Sequence, residues 1–519
     1  MGTSAAAVVC LLALAQPGQP AKPAPAPAPA AAPAAAQAPT APSPSTPSAR
    51  AAAIADRAIA YLLSKQDAAT GGWTVPKAGE QRPHLPAITA LALTGMAMDP
   101  KAAAHKAAID SAAKYILSHR KADGGIYDAI LPSYNTAISL SALAKVDSPE
   151  AKAAIEPAQN FLKRSQWGTT EPVGVGGAGG KEAPKPAAEI TPDHPFYGGV
   201  GYGNRGRPDL SNLAFTLQAW HDTGLSVDDE AYKRAIIFIQ RCQMLPVDSA
   251  GKPVNDQPYA KDSKQLGFIY ATAENDQTIG QGQSFAGTIE ETLDNGQKVS
   301  KLRAYGSMTY AGFKSYLYAG LTPQDPRVVA AVDWARTQWT LQENPATGSD
   351  GYYYFLVMFA RAMEARNEPT LAVTAGAPYR SSALLTGVSA SATPESIKTA
   401  ISSQAGSPKL TTVIMLPGTR RAVVYVEKED QMDALESAFA GVLVGNPGAP
   451  LFTGYAKAEP VAKGAAPLDW RTALIDRLEA MQNPDGSFVT IDDRWMENNP
   501  ALTTAYALVA LQHARKTMK

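Results

Sequence analysis

Residues 474–488 read LIDRLEAMQNPDGSF. The apolar residues Leu474, Ile475, Leu478 and Met481 recur at helical spacing, and Gln482 follows Leu478 by four positions. A glycine turn and an aromatic, Gly486 and Phe488, then end the unit. The same unit recurs upstream: Leu62 and Gln66 precede Gly71-Gly72-Trp73, Leu162 and Gln166 precede Trp167-Gly168, and Ile239 leads to Gln243. Two copies depart from it. Ile116 is followed by Arg120 before Gly124-Gly125-Ile126-Tyr127, and the fifth copy carries Ala335 and Trp339. A recurring supersecondary unit of this kind predicts a repeat architecture.

Each copy is followed by a more apolar segment: LPAITALALTGM from Leu85, YNTAISLSAL from Tyr134, LSNLAFTLQAW from Leu210. The pairs are 51–66 with 85–98, 101–119 with 133–146, 149–165 with 209–224, 228–243 with 304–320, 324–341 with 351–366, and 468–482 with 499–515. The first member of each pair carries Lys, Arg and Asp along one side, whereas the second is apolar nearly all round. That contrast predicts an outer and an inner ring.

QNPDGSF from Gln482 matches the Gln-x-x-x-Gly-x-aromatic motif of squalene-hopene cyclases, and the helix pairing resembles the prenyltransferase and squalene-oxidase repeat. The resemblance covers 51–366 and 468–517. It implies a mainly α chain, a closed α6/α6 toroid of six helix pairs. The domains are then a toroid part at 50–368, an insert at 370–462 and a last helix pair at 466–519. In such motifs the Gln side chain bonds the backbone at the end of one helix and the aromatic stacks over the turn, so these residues are read as structural.

With 519 residues, 45% of them hydrophobic and 18% charged, the chain has ample material for a large core. Lys plus Arg and Asp plus Glu are 47 each, so no global field exists to hold a polyanion, which counts against nucleic acid as a partner. Only Cys10 and Cys242 occur, so there is no disulfide framework. Residues 1–15 read as an export signal: the apolar run Ala5 to Ala15 ends in Ala13-Leu14-Ala15, although no Lys or Arg precedes it. A lipoprotein reading through Cys10 is disfavoured by Val9. Residues 16–49 form a Pro/Ala-rich linker, read either as a tether with extended polyproline geometry or as a featureless tail. The mature chain is thus expected to be exported (periplasmic, cell-envelope or secreted), and it has no apolar run long enough to span a membrane.

Within 370–462 the pattern becomes strand, helix, a hairpin around Pro417-Gly418, helix, strand. This is the βαββαβ order of a small ferredoxin-like α+β domain. RRAVVYVE is similar to the third strand of RNA-recognition motifs, but the base-stacking positions are Leu384 and Val423, with only Tyr425 aromatic, and the charges of the segment cancel. The insert is therefore read as a protein-facing or spacer domain, with an envelope protein as its partner.

In an alternating ring every outer-to-inner connection emerges at one rim, where six inner-helix N-termini converge and their free N–H groups favour anionic or polar groups. The long connections 168–208 and 244–303 decorate that rim, and the insert, an inner-to-outer connection, is expected on the opposite face. The candidate catalytic residues at the rim are Asp209, Tyr310 and Glu497; the candidate ligand-binding residues are His84, Tyr134, Asn135, Asn212, Tyr352 and Tyr353. Thr309, Asn498, His194, Tyr197, Tyr202 and Arg205 share the rim. Asp209 also fits an N-cap, because it directly precedes an apolar run. GGVGYGNRG is not a dinucleotide fingerprint, since no strand precedes it.

The family's chemistry is not fully present. The DxDD acid of class II cyclases is absent, since neither Asp228-Asp229 nor Asp492-Asp493 has a third Asp upstream. Cys242 belongs to no zinc-ligand set, and no Gly-Glu-Gln accompanies a Cys. No cofactor and no metal are expected. Three readings follow: a central pocket for an isoprenoid-like or other apolar small molecule, a non-catalytic cell-envelope scaffold, and a polysaccharide-processing toroid. The character of the cavity wall separates them.

Overall fold

The computed structural model describes residues 46–518 apart from 78, 170–189, 204–205, 446–447 and 449. The export signal, all of the linker up to residue 45 and the rim candidate Arg205 lie outside the described residues.

The fold is mainly helical, with 14 α-helices among the described residues and small antiparallel sheets. The pairs are α1 (Pro47–Lys65) with α2 (Pro86–Ala97), α3 (Lys106–Leu117) with α4 (Pro132–Leu143), and α5 (Pro149–Ser165) with α6 (Leu210–Asp222). They continue with α7 (Glu230–Cys242) and α8 (Gly306–Tyr318), then α9 (Pro326–Thr337) and α10 (Tyr352–Arg366). The hairpin β1 (Thr288–Thr292) and β2 (Lys298–Leu302) lies within the connection from α7 to α8. It was legible as the Asp294-Asn295-Gly296 turn signal but not anticipated. Strand β3 (Thr370–Leu371) follows α10. The insert is β4 (Ser382–Thr386), α11 (Pro394–Ser402), β5 (Leu410–Leu416), β6 (Arg421–Val426), α12 (Met432–Gly445) and β7 (Gly454–Ala456). Strand β8 (Leu468–Asp469), α13 (Trp470–Met481) and α14 (Pro500–Lys516) complete the chain. Helix α1 begins inside the stretch read as linker, because Thr46 caps it by accepting the Ala49 N–H.

Burial follows the amphipathic contrast. Helix α7 buries one stripe, Ala231, Tyr232, Ala235, Phe238, Ile239 and Cys242, with Arg241 alongside, whereas α14 is buried continuously from Ala501 to Ala514. The second helices of the pairs pack in sequence, α2 on α4, α4 on α6, α6 on α8, α8 on α10 and α10 on α14, and α14 packs back on α2. The recurring glutamines tie the outer helices together. Each side-chain amide donates to its own turn and to a carbonyl in the next outer helix: Gln66 to Gly71 and Ala108, Gln166 to Gly198 and Ala231, Gln243 to Leu266 and Arg327. Gly198 sits at φ +82° with its α-carbon against the Arg234 carbonyl, where a β-carbon would come within 1.8 Å. Only glycine meets both demands there.

The insert forms a four-stranded antiparallel sheet in the order β5-β6-β4-β7. Its period-2 alternation serves two cores. Ala383, Leu385, Ala422, Val424 and Val426 pack with Ile397, Ile401, Leu435 and Phe439 of α11 and α12. Leu384, Ile414, Val423 and Tyr425 on the other face join the core of the helical body. The face on which RNA-recognition motifs stack bases is therefore covered by the chain itself.

The expectation that the insert lies opposite the rim needs correction. β3 pairs with β8 at the C-terminal end of α10, but the chain then turns back along α9, where the Thr374 N–H donates to the Arg336 carbonyl. It ends against the outer-to-inner connection between α9 and α10. There the Tyr425 hydroxyl donates to the Gln342 carbonyl, Arg477 of α13 donates to the Tyr425 oxygen, and Glu343 accepts from the Arg380 N–H (2.6 Å) and the Ser382 hydroxyl (2.7 Å). The apolar sheet face is buried only in that position, and its burial outweighs the connectivity argument.

Candidate functional site

The N-terminal turns of α2, α4, α6, α8, α10 and α14 line one cavity of about 400 Å³. Ile88, Tyr134, Met308, Tyr354 and Leu502, each the third residue of its helix, face it, as do Ser211 and Ser307. Loops supply Tyr202, Tyr270, Phe285, Tyr305, Trp495, Met496 and Glu497. The wall is thus oily and aromatic, with few polar groups.

The converging helix ends are not free, which corrects the expectation of open N–H groups at the rim. Asn135 accepts from the Ala87 N–H of α2 (3.1 Å), Asp209 from Asn212 of α6 (2.8 Å), Asn344 from Ser307 of α8 (2.9 Å), and Asn499 from Ala501 of α14 (3.0 Å). Glu497 serves α10: its two oxygens accept the Tyr353 N–H (3.1 Å) and the Tyr354 N–H (2.9 Å). Internal side chains thus satisfy the orphan donors of five of these helices.

Glu497 is 1% exposed, and burial pushes its carboxyl up to about 8, against the downward pull of the backbone N–H groups. Both oxygens accept backbone N–H groups at the start of α10, and Glu497 also lines the cavity. Around it the phenols pair with one another: the Tyr202 and Tyr270 hydroxyls are 2.8 Å apart, and the Tyr354 hydroxyl donates to Ser211 Oγ (3.0 Å). Burial pushes these phenols up, so they remain neutral donors. Over the mouth, Trp495 meets Phe285 edge-on at 5.5 Å, and the Arg494 guanidinium lies over both rings while pairing with Asp350. Trp495 and Met496 both adopt positive φ (61° and 66°), a conformation that costs a non-glycine residue roughly 1–2 kcal/mol.

Of the candidate residues, Glu497, Tyr134 and Asn135 line the cavity, as does Tyr202 of the residues expected to share the rim. Asp209 and Asn212 do not: Asp209 caps α6, accepting from both the backbone and the side chain of Asn212, beside the Tyr202–Tyr270 pair. Tyr310 lies in the core among Phe313, Phe355 and Phe359. His84 faces away, its ring bonded to the Tyr115 hydroxyl (2.8 Å). Tyr352 and Tyr353 are rotated by two residues and by one from the cavity-facing Tyr354. The hydroxyl of Tyr352 donates to Leu341 and that of Tyr353 to Val489. Thr309 accepts the Phe268 N–H, and His194 stacks on Trp167, both away from the cavity. Sequence reasoning missed Tyr270, Phe285, Tyr305, Tyr354, Trp495 and Tyr506. For Tyr354 a signal existed, the third-residue register it shares with Tyr134; the loop aromatics carried none.

Among the described residues no group of three or more His, Cys, Asp or Glu side chains is arranged to hold a metal ion, and no helix is long and apolar enough to cross a membrane. No protein-family model matches the chain, and no curated protein does. Among solved structures, the chain is similar to the type II terpene cyclase MstE from Scytonema in its apo form. The identity is 12% and the TM-score 0.32, over 90% of this chain and 99% of that one. A variant of the same enzyme in complex with merosterolic acid A, its product, gives 12% identity and a TM-score of 0.31, over 91% and 99%.

Proposed function

We propose that the chain is an exported, closed α/α toroid with a ferredoxin-like insert, and that its rim cavity binds an isoprenoid-like apolar molecule on which Glu497 acts as a proton donor. The cycle of inner-helix contacts and the bond from Gln482 to Ile54 support the closed ring. Residues 1–15 supply the export signal, and the Pro/Ala-rich stretch from 16 up to the start of α1 supplies the tether.

The observation that carries the reading is a buried carboxyl in an oily, aromatic wall. Such a wall fits a hydrocarbon chain better than a glycan: of the two carboxyls that line it, Asp350 is paired with Arg494, which leaves Glu497 alone among mostly apolar side chains. At neutral pH the Glu497 carboxyl holds its proton, and because burial makes it a weaker acid than an ordinary carboxyl, the group in an apolar ligand that can take the proton is a polar oxygen such as an allylic hydroxyl, which then leaves as water. Once the proton has left, the Tyr353 and Tyr354 N–H groups and the positive end of α10 stabilise the carboxylate. The cation formed on the ligand would face the rings of Tyr134, Tyr354 and Tyr506, which favour positive charge over their faces.

The test is incubation of the purified protein with squalene and with geranylgeraniol, reading tryptophan fluorescence for binding and gas chromatography for product. Saturable binding by wild type and by Glu497→Gln, with product from wild type alone, is the expected result. Absence of both binding and turnover with these compounds and with whole lipid extracts overturns the reading.

A further inference from the structure

The paired phenols of the cavity wall run back to a second buried carboxyl. Tyr202 and Tyr270 both line the cavity, and their hydroxyls are 2.8 Å apart. Asp209 lies behind them, fully buried. The backbone pins the two together, because the Leu210 N–H, next to Asp209, donates to the Tyr270 carbonyl (2.8 Å). Besides accepting the Asn212 N–H and the Asn212 side-chain amide, the Asp209 carboxylate takes a hydrogen bond from the Tyr270 hydroxyl. The Arg207 guanidinium lies over the Tyr270 ring, 5.2 Å from its centre, and its charge acts on the same carboxylate.

Burial pushes the Asp209 carboxyl up, and Arg207, Asn212 and Tyr270 act against it. With these donors and a guanidinium around it, Asp209 is the ionised carboxyl of the site. Glu497, which meets only backbone N–H groups, is the neutral one. That difference sets the direction of the chain. An ionised carboxylate accepts and cannot donate, so Tyr270 gives its proton to Asp209 and Tyr202 gives its own to Tyr270. Each phenol has a single proton, and both are used inside the chain. Tyr202 therefore presents a lone pair to the cavity. Its ring stacks on that of Tyr134 at 6.4 Å, one of the rings that would face a cation on the ligand.

We propose that Tyr202 is the proton acceptor that completes the reaction begun by Glu497, with Tyr270 and Asp209 as positioning residues that take the proton out of the cavity; the inference rests on the reading of Glu497 as the acid. Once the allylic hydroxyl has left as water, the C–H bond next to the cationic carbon gives its electron pair to a new C=C bond. Its proton passes to the Tyr202 oxygen, the Tyr202 proton moves to Tyr270, and the Tyr270 proton moves to Asp209. Both phenols end as they began, Asp209 as the neutral acid and Glu497 as the carboxylate. The net reaction is the dehydration of an allylic alcohol to a diene, and water entering the cavity after product release returns both carboxyls to their starting states.

The test has two arms. The first reads binding without turnover, by tryptophan fluorescence. A protonated long-chain N,N-dimethylalkylamine carries one N–H donor, and the N,N,N-trimethylalkylammonium ion of the same chain length carries none. Wild type should bind the amine roughly tenfold more tightly. Tyr270→Phe and Asp209→Asn should lose that preference, because the Tyr202 proton then turns into the cavity. The second arm reads the products of geranylgeraniol by gas chromatography. Wild type should give mainly dienes, and Tyr270→Phe mainly alcohols formed when water recaptures the cation. Should Tyr270→Phe not fold, Tyr202→Phe, at a half-buried position, replaces it in both arms. Equal affinity of wild type for the two ammonium ions, or an unchanged diene share in the variant, overturns the relay and leaves the role of Glu497 standing. Failure of wild type to bind either ion and to form any product overturns the cavity reading and the relay together.

Discussion

The side-chain amide of Gln482, at the end of the last outer helix, donates to the main-chain carbonyl of Ile54 in the first, at 3.0 Å and across 428 positions of sequence. The same amide bonds Gly486 in its own turn, as Gln66 and Gln166 do in theirs. Arg50 adds ion pairs from α1 to Asp476 and Glu479, and Gly486, at φ +90°, lies against the Arg57 carbonyl.

Removing this junction should cost more than an ordinary surface change. Gln482→Ala removes both amide bonds and the acceptor of the Arg57 guanidinium, and is expected to destabilise the fold by about 2–3 kcal/mol, read from denaturant midpoints. Gly486→Ala places a β-carbon 2.2 Å from the Arg57 oxygen in a left-handed conformation, so it should be worse still. A Gln482→Ala variant as stable as wild type would show that the first and last pairs are held by apolar packing and the Arg50 ion pairs without the Gln482 amide.

Glu497 and Glu343 give stability a distinct pH dependence. Burial raises both carboxyls, to about 8 and about 7, above their unfolded value of 4.5, so the native state holds protons that the unfolded chain has released. Their contribution is complete below about pH 4.5 and is lost as pH rises toward 8, an effect on the order of a few kcal/mol. Glu497→Gln should flatten this slope in a series of melts from pH 5 to 8.5. An unchanged slope would mean that Glu497 is ionised in the folded protein.

Tyr425 anchors the insert. Tyr425→Ala empties a fully buried site and removes one of the three hydrogen-bond partners of the Arg477 guanidinium, so a loss of about 3–5 kcal/mol is expected, with early proteolytic cleavage between residues 372 and 468. Tyr425→Phe keeps the ring and should cost about 1–2 kcal/mol. Neither variant should acquire affinity for RNA, whose binding would appear as a steep fall with salt.

At the cavity mouth, Trp495→Ala removes the edge contact with Phe285 and the platform under Arg494. A stability loss of about 1–2 kcal/mol and roughly tenfold faster release of a bound fluorescent isoprenoid are expected, measured by stopped-flow displacement. Equal release rates in wild type and variant would place the ligand's exit elsewhere.

The site was only partly legible in the sequence. Glu497, Tyr134 and Asn135 could be placed because they lie at or beside the start of an inner helix, where chain order alone brings them to the rim. Tyr352 and Tyr353 could not be told from Tyr354, since one residue of register turns a side chain by about 100° and the start of the helix was uncertain by that much. Asp209 illustrates the opposite case: its capping role was visible in the residues following it, and the structure places it in that role and outside the cavity.

Repetition, helix pairing and the α/β alternation of the insert followed from the sequence by itself, because each rests on periodicities of 3.6 or 2 within a few turns of chain. Which side chains enclose the cavity, which carboxyls lose their water and where the sheet of the insert docks were decided only by the tertiary structure. Those outcomes depend on burial between segments hundreds of residues apart, and desolvation has no local signature in a sequence.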